Sequence, residues 1–326
     1  MPSYPENGES ALRGKKVLVT GGNGFIGANL VRRLIQCGCQ VTAFVRPGSD
    51  CWRIQDLLDV VELYPVDLGG EIPGNVSCAL HDVRIIYHLG AAGVHQATED
   101  LSTMVKVNVM GTFHLLRLAQ KIKVERFIYC GSCFEYGPGN LLKEDRLPSP
   151  VNEYAASKLS AGILAETFYR QYGLSVVYLR PFTVYGPYEG LQRLIPFGIC
   201  RMLEGKDLEL TGGEQTRDMV FVEDVLEAFL LAGVRPQAVG QIINLASGNE
   251  MSVKDIVRTL IEVMGVSSKP LFGARPYRNS EVWALSGDPS NAKKVLGWTA
   301  RTDLRQGLHE TIQWFTENRS RYPVYR

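Results

Sequence analysis

The patterned part of the chain opens on a five-residue apolar run, KVLVT at 16–20, followed by a cluster of glycines and an amphipathic stretch over 25–37. A run too short for a helix, a turn of residues lacking Cβ and a 3.6-residue period together predict strand, turn and helix. Further runs of strand length lie at 41–45, 60–66, 83–89 (VRIIYHL), 126–130 and 175–179. Between them, 101–122 places Met104, Val107, Thr112, Leu115, Leu116 and Ala119 at helical spacing, and 153–172 also reads as a helix. Strands alternating with helices predict an α/β fold whose parallel sheet is wound on both faces. Beyond about residue 187 the alternation weakens. Helices are expected at 193–204, 222–234, 253–264 and 304–318, separated by short strands and Gly/Pro-rich turns. The expected organisation is a flexible segment over 1–14, a first domain over 15–187 to which parts of 211–250 return, and a smaller C-terminal α/β lobe over 188–326.

Composition narrows the class. The 326 residues are 45% apolar and 21% charged, enough for a sizeable core. A net charge of +1 offers no footprint for nucleic acid or an anionic membrane. Seven cysteines, an odd number, show no framework spacing; Cys37-Gly38-Cys39 is neither a redox pair nor a zinc knuckle. Reduced thiols, no metal site and a cytoplasmic location are expected. The first fourteen residues lack the apolar core of a signal peptide, and no run is long enough to span a bilayer.

The turn after the first strand, Thr20-Gly21-Gly22-Asn23-Gly24-Phe25-Ile26-Gly27, has glycines spaced G-x-x-G-x-x-G. A diphosphate needs close backbone approach and the unpaired N–H groups of a helix N-terminus. A bare glycine turn is the plainer reading. Its position between strand and helix favours a dinucleotide and hence a Rossmann-type domain. The second strand ends Phe44-Val45-Arg46-Pro47-Gly48-Ser49, without the carboxylate that holds the adenosine ribose in NAD enzymes. Arg46 and Ser49 suit a 2′-phosphate, so NADP is favoured, with NAD the alternative.

Tyr154 and Lys158 lie four residues apart at the start of a predicted helix, on one face. An ammonium beside a phenol favours the phenolate, which would let Tyr154 exchange a proton with a carbinol or ketone oxygen while hydride moves. Alone, Y-x-x-x-K is more often a surface pair; the glycine turn upstream makes it informative. Ser132 follows the fifth core strand, where ligands of open α/β sheets gather, and can bond the same oxygen. Its plainer role is to cap a turn.

Taken together, TGGNGFIG, VDL at 66–68, HLGAA at 88–92, VNVMGT at 107–112, GSCFEYG, YAASK, LRPFTVYGP at 179–187, RDMVFVEDV at 217–225 and LGW at 296–298 resemble the extended short-chain dehydrogenase/reductase family of nucleotide-sugar epimerases, dehydratases and ketoreductases, over about 16–315. The resemblance implies that Asp67 and Leu68 flank adenine, that Leu89, Gly90, Ala91 and Ala92 line the dinucleotide with Asn108 in support, and that Phe182 lies beside the nicotinamide. It makes Ser132, Tyr154 and Lys158 a catalytic triad, with Lys158 also on the nicotinamide ribose. Arg217 and Arg278 would reach the diphosphate of a sugar nucleotide, against a plainer reading as surface arginines. A homodimer through helices at about 101–122 and 153–172 is implied as well.

Departures from the family pattern narrow the chemistry. Dehydratases carry acids in the two positions after the catalytic Ser/Thr, where this chain has Cys133 and Phe134; Glu135 comes one position late and is expected to face away. Fucose-synthase-like epimerisation needs a cysteine and a histidine, but Cys133 is one position off and Tyr188 stands where the histidine would be. Cys133 is a candidate neighbour of the sugar, with a structural thiol the plainer reading, and Thr183 replaces a substrate-contacting asparagine. An NADPH-dependent 4-ketoreductase of a nucleotide-activated deoxysugar is the favoured oxidoreductase, and a 4-epimerase with tightly held NAD the alternative. A reductase of non-sugar ketones and a non-catalytic dinucleotide-binding module come behind.

Overall fold

The computed structural model describes residues 8–93, 100–278 and 280–325. Seven parallel strands form the central sheet: β1 (Lys16–Thr20), β2 (Gln40–Val45), β3 (Val61–Pro65), β4 (Ile85–His88), β5 (Arg126–Cys130), β6 (Val176–Pro181) and β7 (Ile242–Leu245), in the order β7-β6-β5-β4-β1-β2-β3. The order reverses between β1 and β4, which opens a crevice beyond their carboxyl ends.

The apolar runs are continuous because both faces of the sheet are covered. The two-residue period of a strand divides each run between two cores. Val17 and Val19, Ile85 and Tyr87, and Ile128 and Cys130 join one core with Leu30 and Leu34 of helix Phe25–Gln36 and Leu226 of helix Val222–Val234. Leu18, Ile86, Phe127 and Tyr129 face the other, against Leu115, Leu116, Ala161, Ala165 and Phe168 of helices Gly111–Ile122 and Glu153–Tyr172.

Residues 222–245 thus return to the first sheet, as a covering helix and its edge strand β7, paired with β6. The rest of the C-terminal half is a three-stranded sheet of Thr183–Tyr185, Thr216–Phe221 and Glu250–Ser252, with helices Leu194–Leu203, Val253–Met264 and Leu304–Asn318. The flexible segment expected over 1–14 is corrected at its inner end. Glu9–Leu12 is a helical turn, Leu12 is buried, and Glu9 pairs with Arg33 at 2.6 Å. The apolar side of a short helix finds a place on the core that composition alone does not reveal. The helix expected over 101–122 runs as Leu101–Met104, a π-helical turn over Val105–Met110, and Gly111–Ile122. Among the described residues, no helix is long and apolar enough to cross a membrane.

Candidate active site

The glycine turn forms as its spacing requires. Gly21 has φ +69, and a Cβ there would lie 2.9 Å from Gly90 Cα. A Cβ on Gly27 would lie 2.1 Å from Gly21 O, so the first turn of the helix can close on the strand end only without one. Gly24 is the N-cap of Phe25–Gln36 and supplies no capping side chain. The Gly24 N–H donates to Gly21 O at 2.9 Å, and the first-turn N–H groups of Phe25, Ile26 and Gly27 form a cradle suited to an anion, which fits the pyrophosphate of a dinucleotide.

A chain of buried hydrogen bonds braces the wall of this cradle. Thr112 Oγ1 donates to Asn108 O at 2.5 Å and stands 2.8 Å from His88 Nε2; His88 Nδ1 is 2.7 Å from Thr20 Oγ1, which accepts from Gly90 N–H at 3.0 Å. Because the Thr112 proton is committed to Asn108 O, His88 donates from Nε2 and accepts at Nδ1 from Thr20. Burial holds its ring neutral, with the Lys158 charge acting in the same direction. Asn108 then fastens the loop after β4: Oδ1 accepts from Ala92 N–H at 2.7 Å, and Nδ2 donates to Ala92 O at 3.0 Å and Ser157 Oγ at 2.8 Å. Leu89 and Ala91 stay half-exposed at the crevice while Gly90 and Ala92 are buried. Leu68 packs under Gly90, and exposed Asp67 accepts from Gly69 N–H. The loop after β2 is tied to the cradle: Asn23 Nδ2 donates to Ser49 Oγ at 2.9 Å, Ser49 Oγ donates to Arg46 O at 2.6 Å, and Arg46 is exposed.

Ser132 lies just after β5, and Tyr154 and Lys158 lie in the first turns of the helix Glu153–Tyr172, which packs against the turn Cys133–Tyr136. Asn152 caps the helix Glu153–Tyr172, accepting from Ala155 N–H, and so sets Tyr154 in its first turn. Lys158 is buried one turn on, its Nζ 4.5 Å from the centre of the Tyr129 ring, while Tyr129 Oη donates to Lys158 O. Burial lowers the Lys158 pKa, while Cys130 and Glu135 oppose the shift. The expectation that the Lys158 ammonium draws the Tyr154 phenol down is corrected. Burial pushes that phenol well above its ordinary value, Cys130, Glu135 and Cys133 add to the rise, and Arg193 opposes it. The ammonium rests on Tyr129 instead.

Ser132 caps the turn Cys133–Tyr136: its Oγ accepts from Phe134 N–H at 3.3 Å, which leaves its own proton to donate elsewhere. Capping and catalytic readings are thus compatible. Glu135, as expected, turns away from the crevice. Its Oε1 accepts from Ser132 N–H at 2.8 Å, and its Oε2 accepts from Arg180 Nε at 2.8 Å and from Tyr178 Oη.

On the substrate side, Cys133 is 2% exposed and its thiol is pushed up to about 12 by burial, with Arg217 pulling the other way. Arg217 is held by Val282 O, Thr216 O and Glu281 Oε1, at 2.6, 2.7 and 2.6 Å. Arg278 is exposed, and its carbonyl accepts from Glu281 N–H, so its segment brackets Arg217. Thr183 is half-buried, in register with Met219. Phe182 is buried, and a Cβ on Gly287 would strike its ring. The sequence reading missed Arg193, the residue before Leu194–Leu203, whose charge acts on both Tyr154 and Glu189. Its position at a helix start shortly after LRPFTVYGP was the available signal.

Comparison with known proteins follows the same lines. Residues 17–246 match the model of the NAD dependent epimerase/dehydratase family. The chain is 30% identical over 318 residues to UDP-glucuronate 4-epimerase of Thermodesulfobacterium geofontis, covering 92% of this chain and 96% of that one. It is 30% identical over 323 residues to human dTDP-D-glucose 4,6-dehydratase, covering 93% and 91%. The crystal structure of UDP-glucuronic acid 4-epimerase from Bacillus cereus, in complex with UDP-glucuronic acid and NAD, superposes with a TM-score of 0.83 at 27% identity, over 93% of this chain and 99% of that one.

Proposed function

The chain belongs to the NAD dependent epimerase/dehydratase family and is an NAD(P)-dependent enzyme of the extended short-chain dehydrogenase/reductase type, and from that premise we propose that it carries out redox chemistry at carbon 4 of a nucleotide-activated sugar, as an NADPH-dependent 4-ketoreductase of a deoxysugar nucleotide. This reading is supported by Ser132 just after β5 and by Tyr154 and Lys158 in the first turns of the helix Glu153–Tyr172, which packs against the turn Cys133–Tyr136, with the one carboxylate of that turn, Glu135, committed to Arg180. With Cys133 and Phe134 in the next two positions, no acid stands ready to expel water, which disfavours a dehydratase.

A bound nicotinamide supplies the hydride. Burial keeps Tyr154 protonated, the form a reductase needs, and its Oη gives that proton to the sugar oxygen as the carbonyl becomes an alcohol. The Ser132 hydroxyl donates to the same oxygen and stabilises its growing charge. Lys158, locked by its buried stem, holds the nicotinamide ribose. Arg46 and Ser49 would take a 2′-phosphate, Asp67 and Leu68 the adenine, and Arg217 with Arg278 the diphosphate of the substrate. Phe182 would border the nicotinamide, and Cys133 and Thr183 the sugar.

A second reading, a 4-epimerase with resident NAD, is favoured by the names of the relatives and by the NAD in the Bacillus cereus complex. It uses the same three side chains. Native mass spectrometry of the purified protein, followed by titration with NADPH and sugar nucleotides, separates the two. The reductase requires a site that fills with NADPH and oxidises one equivalent per 4-keto sugar nucleotide consumed. Co-purified NAD and no net change at the nicotinamide absorbance during turnover of a UDP- or GDP-hexose would establish the epimerase instead. Self-association as a homodimer completes the proposal.

A further inference from the structure

Glu135 has no part in the chemistry just described, yet it is 0% exposed and accepts from the Ser132 N–H at 2.8 Å. Its partners are all donors: Ser132 N–H on Oε1, and Arg180 Nε–H with Tyr178 O–H on Oε2. Arg180 is equally buried, its guanidinium centred 4.5 Å and 4.8 Å from the rings of Tyr136 and Tyr178. A buried guanidinium keeps its charge; burial raises the Glu135 pKa, and Arg180, Tyr178, Lys158 and the Ser132 N–H oppose that rise and favour the carboxylate.

We infer that Glu135 is a positioning residue of the redox centre: anchored from below by Arg180 and Tyr178, its carboxylate grips the Ser132 amide, fixes the turn on which the Ser132 hydroxyl is aimed, and sets a negative charge beside Lys158. The inference rests on the proposed use of Ser132, Tyr154 and Lys158. The local geometry leaves little slack. Gly131, the preceding residue, has no room for a side chain, because a Cβ there would meet the Tyr178 ring at 2.3 Å and Glu135 Oε1 at 2.7 Å. The Gly131 N–H donates to Leu179 O at 2.7 Å, so the amides of both Gly131 and Ser132 are tied to β6 or to a group that β6 holds. In the ordinary pattern of a capping box, the Glu returns to the cap amide from solvent. Here the same box is buried and neutralised by an arginine from the neighbouring strand, so it transmits the position of the sheet to the serine.

The charge has a second consequence. The groups acting on Lys158 are Cys130 and Glu135, both of which favour its protonated form, and His88, which is neutral in its hydrogen-bonded chain; the Tyr129 ring lies under it. Those acting on Tyr154 are Cys130, Glu135 and Cys133, which disfavour the phenolate, and Arg193, which favours it. Removing the Glu135 charge therefore moves the ionisations of both Lys158 and Tyr154 to lower pH.

Two double variants test this while sparing the fold the cost of an unpaired buried arginine. Glu135→Gln/Arg180→Met keeps an acceptor for the Ser132 amide but removes both charges; Glu135→Val/Arg180→Met removes the acceptor as well. The second is expected to lose at least about ten-fold in kcat relative to the first, with KM for the sugar nucleotide little changed, because a mis-aimed donor is felt in the transition state. In the first, the Lys158 titration, read from 13C-lysine NMR and assigned by Lys158→Met, is expected to shift to lower pH. The Ser132 amide resonance is expected to stay in place in the Gln variant and move upfield in the Val variant. Equal kcat in two folded double variants, or an unmoved Lys158 titration, would overturn the inference. Should the wild type turn over no sugar nucleotide, the proposed function fails, while the lysine titration and the Ser132 resonance still decide for or against Glu135.

Discussion

Single side chains in this molecule are set by what surrounds them more than by their own chemistry. Tyr154 and Lys158 carry the spacing of a redox pair, yet each ionisation is moved first by burial. Glu189 shows the same effect outside the catalytic trio. It follows Tyr188, a non-glycine residue at φ +69, and is 6% exposed. Its Oε2 has no hydrogen-bond partner among the described residues, and burial raises its pKa from 4.5 to about 8 against the pull of Arg193 and a Gly186 backbone bond. The sign follows from proton counts. Below pH 4.5 the group is protonated whether folded or not; between 4.5 and about 8 only the folded state keeps the proton, so stability falls as pH rises; above 8 the loss is complete. Glu189→Gln is therefore expected to gain on the wild type across that window, by about 1.4 kcal/mol per pH unit at most. Denaturant midpoints at pH 5 and pH 8 check it, and a stability difference that does not change between them would remove the buried proton from the account.

At the scale of elements, the helix over 101–122 is interrupted for a purpose that its own periodicity does not reveal. Its π-helical turn carries Asn108, whose amide satisfies both backbone groups of Ala92 and reaches Ser157, which in turn donates to Tyr154 O. One side chain thus joins the wall of the dinucleotide cradle to the first turn of the catalytic helix. π-turns of this kind recur where a helix must aim a side chain at a functional site. Asn108→Ala strands the Ala92 N–H and C=O in a buried place, and a loss of about 1–3 kcal/mol is expected, together with weaker dinucleotide binding. Chemical denaturation and a fluorescence titration with NADPH and NADH measure the two effects. A variant as stable and as tight-binding as the wild type would show that the loop is held elsewhere.

For the molecule as a whole, the two faces of the sheet are not covered alike. Helices Phe25–Gln36 and Val222–Val234 pack against each other on one face, and the latter has eleven buried residues. The opposite helices keep apolar side chains in the open: Leu101, Val105 and Met110 on one, Ile163, Tyr169 and Tyr172 on the other. An apolar surface of this kind on two adjacent helices suits a self-complementary contact about a two-fold axis. Sedimentation velocity is expected to show a dimer, and Ile163→Glu is expected to shift it towards monomer. A wild type that sediments as a monomer at tens of micromolar would refute the contact.

The amino-acid sequence by itself determined the sheet and its cradle. Strand-length apolar runs, helical spacing between them and glycines at 21, 24 and 27 are local signals, and a parallel sheet buried on both faces leaves few ways to assemble them. It also made Ser132, Tyr154 and Lys158 legible as candidates, because each sits at a fixed place relative to a strand end or a helix start. Tertiary structure decided what those groups meet. The Lys158 ammonium lies on Tyr129, a residue of β5, and the charge of Arg193, from the start of another helix, acts on Tyr154. Glu135 is buried against Arg180, forty-five positions away in the chain. The turn at Glu9–Leu12 belongs to the same class. Such pairings depend on contacts between segments distant in sequence. Burial, which sets both the ionisation of these groups and the price of leaving a polar atom unpaired, is a property of the assembled molecule rather than of any segment of the chain.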